Sequence, residues 1–223
     1  METIAFCEFD KHAQRVLKKH WPDIPMHEDV RLLDGKKYRG TADVVCGGFP
    51  CQDLSTAGKQ KGFDGDRSSL YIEMFRIIGE CRPRYAIFEN VAGLLSGEQG
   101  RWFAKFLYDL AEVGYDAEWH SIPASYVGRP QNRDRVWIIA YPKNDNVEQV
   151  VFEGGLSRKL RGVGRERISR ISRAMDQPGM GRVADGLSPG VDRFKRLGNA
   201  VVPQIPELIG RAIMEVENEK LIK

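Results

Sequence analysis

Asp43–Ser55 reads DVVCGGFPCQDLS, and the fold turns on how this stretch is read. Its opening residues, Asp43–Cys46, are a short apolar run with two adjacent valines, the pattern of a buried strand. The run gives way to a loop rich in Gly and Pro that continues to Arg67. Cys51 therefore sits just past a strand, flanked by Pro50 and Gln52. A thiolate in such a place is a strong nucleophile once its pKa is lowered. A buried structural cysteine is the competing reading, because free Cys behaves as a small hydrophobe.

The neighbouring segments show what kind of sheet this strand belongs to. Upstream, TIAFC (Thr3–Cys7) reads as another buried strand, followed by a helix from Lys11 to Trp21 that Asp10 caps and Pro22 stops. Downstream, Leu70, Met74, Ile77 and Ile78 have helical spacing over Ser69–Cys81. YAIF (Tyr85–Phe88) is a strand that runs into Glu89 and Asn90. A helix follows over Gly100–Val113, and Glu118–Ile122 and Val136–Ala140 read as strands flanking a loop at Pro130. A last helix, with Pro206 in its first turn, runs to about Glu219. Strands that alternate with helices predict an α/β domain with a largely parallel sheet, whose ligands gather beyond the carboxyl ends of the strands. Glu8, the loop after Cys46, and Glu89 all fall at such ends.

Composition narrows the class without choosing a function. The 223 residues are 42% hydrophobic and 29% charged, which fits a globular domain and excludes wholesale disorder. A net charge of +3 is too small to argue for nucleic acid, so local charge must carry that case. Arg158–Arg173 supplies it: Arg158, Lys159, Arg161, Arg165, Arg167, Arg170 and Arg173 stand against the single acid Glu166. No apolar run is long enough to span a membrane. METIAFCEFDKHAQ lacks the basic start of a signal peptide. The four cysteines form no C-x-x-C pair, so no metal site is expected, and reduced thiols point to the cytoplasm.

Two further motifs carry chemistry. A carboxyl at a strand end, such as Glu89 of ENV (89–91), serves as general acid or base when its pKa is raised. In QNRDR (131–135), an extended backbone sets Arg133 and Arg135 on one face, suited to phosphate or a ring oxygen. Taken singly, the first reads as a solvated acid and the second as a charged surface turn.

PCQ at 50–52, ENV at 89–91, QNRDR at 131–135 and GNAVVP at 198–203 occur in that order. Together they resemble the sequence blocks of DNA cytosine-5 methyltransferases, over about Thr3–Tyr141 and Arg182–Arg211. The resemblance implies an α/β, Rossmann-like fold that uses S-adenosylmethionine to methylate carbon 5 of cytosine in double-stranded DNA, in a bacterial or phage-like setting such as restriction-modification. It implies that Cys51 attacks the flipped cytosine, that Glu89 supplies a proton, and that Arg133 and Arg135 hold the base and nearby backbone. Pro50, Gln52, Asn90 and Gln131 would shape or brace the site. On the cofactor side it points to Glu8 for the ribose, Phe9 against the adenine, Asp29 and Val30 for the adenine amine, and Leu70 as a further contact. Asn199, Ala200 and Val201 complete that set.

Three domains are expected: a catalytic and cofactor-binding domain over 1–142, a small basic target-recognition region over 143–186, and a returning C-terminal segment over 187–223. The family's opening strand and Gly-rich cofactor turn, about two dozen residues by the usual size of such a unit, have no counterpart in this sequence. The expected fold is therefore N-terminally truncated, with an N-terminal segment or a complementing chain among the expected partners. The same absence leaves a second reading open, a DNA-binding remnant with impaired catalysis. A cysteine hydrolase is disfavoured, because His12, His20, His27 and His120 sit in no motif that would activate the thiol.

Overall fold

A computed structural model describes residues 1–49, 70–128, 133–143 and 201–222. Strand β1 (Phe6–Cys7) leads to helix α1 (Lys11–His20), then β2 (Met26–His27) and β3 (Val44–Gly48). Helix α2 (Leu70–Cys81), strand β4 (Tyr85–Val91) and a short helix α3 (Gly93–Ser96) follow. Helix α4 (Arg101–Glu112), strands β5 (Tyr115–Pro123) and β6 (Asp134–Pro142) and helix α5 (Gln204–Ile222) complete the order. The chain divides into two compact units, Met1–Ile122 with Asp134–Glu148, and Pro123–Arg133 with Gln149–Lys223.

In the first unit β1 and β2 pair in parallel as a two-stranded sheet, and a four-stranded sheet runs in the order β3-β4-β6-β5. β3 and β4 are parallel, whereas β6 is antiparallel to β4, so the larger sheet is mixed rather than largely parallel. The connection 124–133 between β5 and β6 is shorter than the dozen or more residues that a parallel crossover needs.

The main hydrophobic cluster lies on one face of this sheet, while Ile87, Trp137 and Ile139 are buried on the other. Phe88 of β4 and Val136, Ile138 and Ala140 of β6 meet Tyr71, Phe75 and Ile78 of α2 and Phe103, Phe106 and Leu110 of α4. Phe106 is fully buried, with the rings of Phe88, Phe75 and Phe49 centred 5.1, 5.2 and 5.6 Å away. Helix α2 buries this face because its apolar residues recur at helical spacing, while Glu73, Arg76 and Glu80 occupy another side.

Asp10 caps α1 as its sequence implies, its Oδ1 accepting from the His12 and Ala13 amides at 2.8 and 2.9 Å. The two strands read as buried runs behave differently. TIAFC yields only Phe6–Cys7 as strand, with Cys7 exposed, and β3 is half-buried at Val44 and Val45 and exposed from Cys46 to Gly48. Both are edge strands, each with a single partner strand among the described residues. β4, flanked on both sides by strands, is buried at five of its seven residues.

In the second unit, Ile205, Ile209, Ala212, Ile213 and Val216 form the buried stripe of α5, which packs against the 3-10 turn Ala124–Val127. The basic stretch Arg158–Arg173 and the 143–186 region, apart from Lys143, lie outside the described residues. Among the described residues, no helix is long and apolar enough to cross a membrane.

Candidate functional site

The site is built from two clusters in the first unit. The first is the parallel ladder of β3 and β4, which sets Gly48 opposite Glu89. Gly48 allows the close approach: a Cβ would come within 3.1 Å of the Glu89 carbonyl oxygen, tighter than side chains ordinarily pack. Asn90, buried within the strand, donates from Nδ2 to the Phe49 carbonyl at 3.3 Å and accepts the Val91 amide at 2.9 Å. It therefore ties the end of β4 to the residue at which the Gly-Pro loop begins. On the other side of β4, Arg135 of β6 donates from Nε to Glu89 Oε1 at 2.9 Å. Both side chains are about four-fifths buried, so this pair is far less screened by water than a surface ion pair.

The second cluster is a cavity of about 510 Å3 between the β1–β2 layer, β3 and α2. Glu8, Phe9, Asp29, Val30 and Leu70 all line it, together with Cys7, Val45, Cys46, Met74 and Ile77. Each wall has a local cause. Glu8 Oε1 accepts the Asp10 amide at 2.7 Å, and its backbone oxygen accepts Gln14 Nε2 at 2.5 Å, so the residue is pinned to the start of α1. Asp29 caps the 3-10 turn Val30–Leu32, its carboxylate accepting the Arg31 amide at 3.0 Å and gripped by the Arg31 guanidinium. That guanidinium, then the backbone N–H, holds the Asp29 carboxyl below its ordinary range. Partial desolvation, and then the carboxylates of Asp29 and Glu8, push the Cys7 thiol up. The cavity thus carries the Glu8 carboxylate and the Asp29–Arg31 pair beside an apolar lining.

Glu89, Asn90 and Arg135 meet at the β3–β4–β6 ladder, and Glu8, Phe9, Asp29, Val30 and Leu70 share the cavity. Arg133, its carbonyl accepting the Ala124 amide at 3.0 Å, and the exposed Val201 belong to the second unit. Pro50, Cys51, Gln52, Gln131, Asn199 and Ala200 lie outside the described residues. Sequence reasoning missed Arg31, Met74, Arg76, Ile77 and Glu80. The i, i+4 spacing of Arg76 and Glu80 on α2 was the available signal.

The first unit is thus an α/β domain with a cavity of mixed polar and apolar lining beside a strand-end carboxyl–guanidinium pair. The solved structure of Spodoptera frugiperda DNMT2, a triple mutant, shares this fold: TM-score 0.51 at 22% identity, covering 65% of this chain and 44% of that one. The chain belongs to the C-5 cytosine-specific DNA methylase family, whose model matches residues 1–177. It is 37% identical over 143 residues to the type II methyltransferase M1.ScrFI of Lactococcus lactis subsp. cremoris, covering 64% of this chain and 36% of that protein. It is 36% identical over 155 residues to the type II methyltransferase M.Eco47II of Escherichia coli, covering 69% and 37%. The matched stretch thus spans little more than a third of either relative's length.

Proposed function

We propose that the protein carrying this chain transfers a methyl group from S-adenosylmethionine to carbon 5 of cytosine in duplex DNA, through a covalent adduct with Cys51. The observation that carries the reading is the parallel pairing of β3 with β4, because it sets Gly48, just before the PCQ loop, opposite Glu89. The nucleophile's loop and the proton donor then rise from the same end of adjacent strands.

The cavity suits the cofactor. Its volume lies within the range of about 300–1,000 Å3 typical of small-molecule sites. Two carboxylates, Glu8 and Asp29, offer acceptors for ribose hydroxyls and the adenine amine, and Phe9, Val30 and Leu70 offer apolar surface to the purine. The family resemblance assigns Asn199, Ala200 and Val201 to the cofactor as well. When bound, S-adenosylmethionine supplies the electrophilic methyl group.

The chain's own residues do the rest. The target cytosine must leave the helix, because a stacked base is out of reach. The Cys51 thiolate adds to carbon 6, forming a C–S bond and moving electrons towards carbon 5 and ring nitrogen 3. Glu89 gives nitrogen 3 a proton, so that no anion builds up on the ring. Carbon 5, now electron-rich, would take the methyl as the sulfonium–methyl bond breaks and the neutral thioether S-adenosylhomocysteine leaves. A base removes the carbon 5 proton, the C–S bond breaks, nitrogen 3 returns its proton to Glu89, and the aromatic ring and free thiolate are restored. Arg135 fixes the Glu89 side chain through Nε and retains further N–H groups for the base, with Arg133 as a second cation. Pro50, Gln52, Asn90 and Gln131 shape the loops around them. The domain division at 142 and 186 and a cytoplasmic setting go with this reading, and Arg158–Arg173 meets DNA phosphates.

The test uses random-sequence duplexes in which every cytosine is 5-fluorocytosine, since fluorine at carbon 5 blocks the last step. With S-adenosylmethionine present, an adduct that survives denaturing electrophoresis is expected, and it should vanish in Cys51→Ser. An undiminished adduct in that variant would overturn the assignment.

A further inference from the structure

We propose that Arg76 is a positioning residue that holds the Val30–Leu33 wall of the cavity in place, so that the cavity binds an adenosyl ligand tightly and selectively. The inference rests on reading that cavity as the cofactor site. Arg76 lies on α2, away from the apolar face that meets the core, and it does not line the cavity itself. Its guanidinium crosses to a segment more than forty residues earlier in the chain. Nη2 donates to the Val30 carbonyl at 2.8 Å and Nη1 to the Leu33 carbonyl at 2.9 Å.

Two acids of the same helix aim the fork. Nε donates to Glu73 Oε2 at 2.7 Å, and Nη1 to Glu80 Oε2 at 2.9 Å. Glu80 Oε2 also accepts the Gly35 amide at 2.8 Å, so the acid grips the segment one step beyond Leu33. Val30, Leu33 and Gly35 are thus tied to α2 at three successive points. The same helix contributes Leu70, Met74 and Ile77 to the lining. Arg76 therefore fixes the Val30–Leu33 wall against α2 while touching neither the ligand nor the reacting atoms.

Charge alone cannot do this. The contacts need planar donors that reach two carbonyls and two carboxylates at once, which a guanidinium provides and a lysine ammonium does not. The wall matters for selectivity because it carries Asp29, the acceptor nearest in kind to an adenine amine. Asp29 already spends lone pairs on Arg31, so a shift of the turn removes the orientation left for a ligand.

The experiment compares the parent protein with Arg76→Lys and Glu80→Gln. Hydrogen exchange of the peptide spanning 28–36, without ligand, reads the clamp directly. Calorimetric titration with S-adenosylhomocysteine and with S-inosylhomocysteine, which lacks the amine, reads its consequence. In Arg76→Lys, exchange in 28–36 should speed up while β4 stays protected. Affinity for the adenosyl compound should fall about tenfold, the scale of hydrogen bonds to a charged group, and the preference over the inosyl compound should shrink. Glu80→Gln should move all three readings the same way by less. A residue that merely stabilised the fold would weaken both ligands alike and leave their ratio unchanged, and that result would overturn the proposal. So would unchanged exchange in 28–36, or loosened exchange with adenosyl affinity intact. Failure of the parent itself to bind either compound would instead remove the cofactor reading of the cavity, and this inference with it, whatever the exchange data show.

Discussion

The two halves of the site are held by different forces. The ladder that carries Glu89 is backed by a dry core: β4 and β6 are buried for most of their length, and Phe88, Phe106, Val136, Ile138 and Ala140 expose essentially nothing. The cavity wall that carries Glu8 and Asp29 has little such backing. Strands β1 and β2 are two residues each, and their surroundings are fixed by polar ties: the Asp10 cap, the Asp29–Arg31 grip, the His27–Tyr38 contact at 2.6 Å and the Arg76–Glu80 clamp. Burial of aromatic rings gives a rigid frame for bond-making groups. Polar ties at a partly wet surface give a wall that opens at lower cost. The chemical half should therefore fail globally when its packing is cut, and the binding half locally.

The sharpest test of the chemical half is Glu89→Gln, which keeps shape and removes the proton. Methylation should fall by about a hundred- to ten-thousandfold, the contribution expected of a placed general acid, and the thermal transition should drop as well, because Arg135 loses its charged partner. Incorporation of tritiated methyl groups into mixed DNA measures it. Activity within about threefold of the parent would take Glu89 out of the chemistry.

Next in size is the packing behind it. Phe106→Ala should cost about 3–5 kcal/mol of global stability, as deletion of a buried ring commonly does. Urea unfolding followed by tryptophan fluorescence and by circular dichroism should report one shared transition at lower denaturant. If only the α4 signal moved and the β4 amides kept their protection, the dry core would not be the single frame described above.

Much of this arrangement was legible in the sequence. Asp10 announced the start of α1, and the apolar period of α2 and α4 fixed their buried faces. Chain order and the α/β pattern allowed the strand before the PCQ loop to neighbour the one before ENV without requiring it, and the ladder has that pairing. Glu8 stood out by its place at a strand end and Leu70 by the period of its helix, but their cofactor roles, and Asp29 altogether, came from family register, since a lone surface acid or leucine carries no signature. The edge character of β1 and β3 was illegible, because an apolar run such as DVVC looks the same whether one or two strands flank it. Arg76 escaped for another reason. Its decisive partners are the backbone carbonyls of Val30 and Leu33, and a carbonyl has no identity in a sequence.

A smaller effect should distinguish the binding half. Asp10→Ala removes the acceptor for two amides of α1 and should cost about 1 kcal/mol. Because α1 is mostly exposed, the loss should appear as faster exchange across Lys11–His20 and at Glu8, with β4 unchanged. A matching loss in β4 would mean that the two halves unfold together and that the contrast drawn between them is false.

The smallest expected effect is a pH dependence confined to the cavity wall. The Gly35 amide first, and then the Arg76 guanidinium, hold the Glu80 carboxyl below its ordinary value of 4.5. A folded-state pKa below the unfolded one gives stabilisation that is complete above the unfolded value and is lost as pH falls through the folded one. Asp29, held down by Arg31, has the same sign from its ordinary 3.8. Acidification below about pH 4.5 should thus loosen Val30–Gly35 while β4, whose protection rests on ring burial, holds. About a fifth of each carboxyl's side chain is exposed, and solvent and salt reaching it there will keep the change small. Exchange protection, taken as a ratio to an unstructured peptide at each pH, separates opening of the wall from the intrinsic chemistry of exchange. Glu80→Gln cannot ionise, so its wall should be looser at neutral pH and change less on acidification. If the wall in Glu80→Gln kept the parent's full acid response, Glu80 would not be the titrating tie, and the polar account of the binding half would lose its central residue.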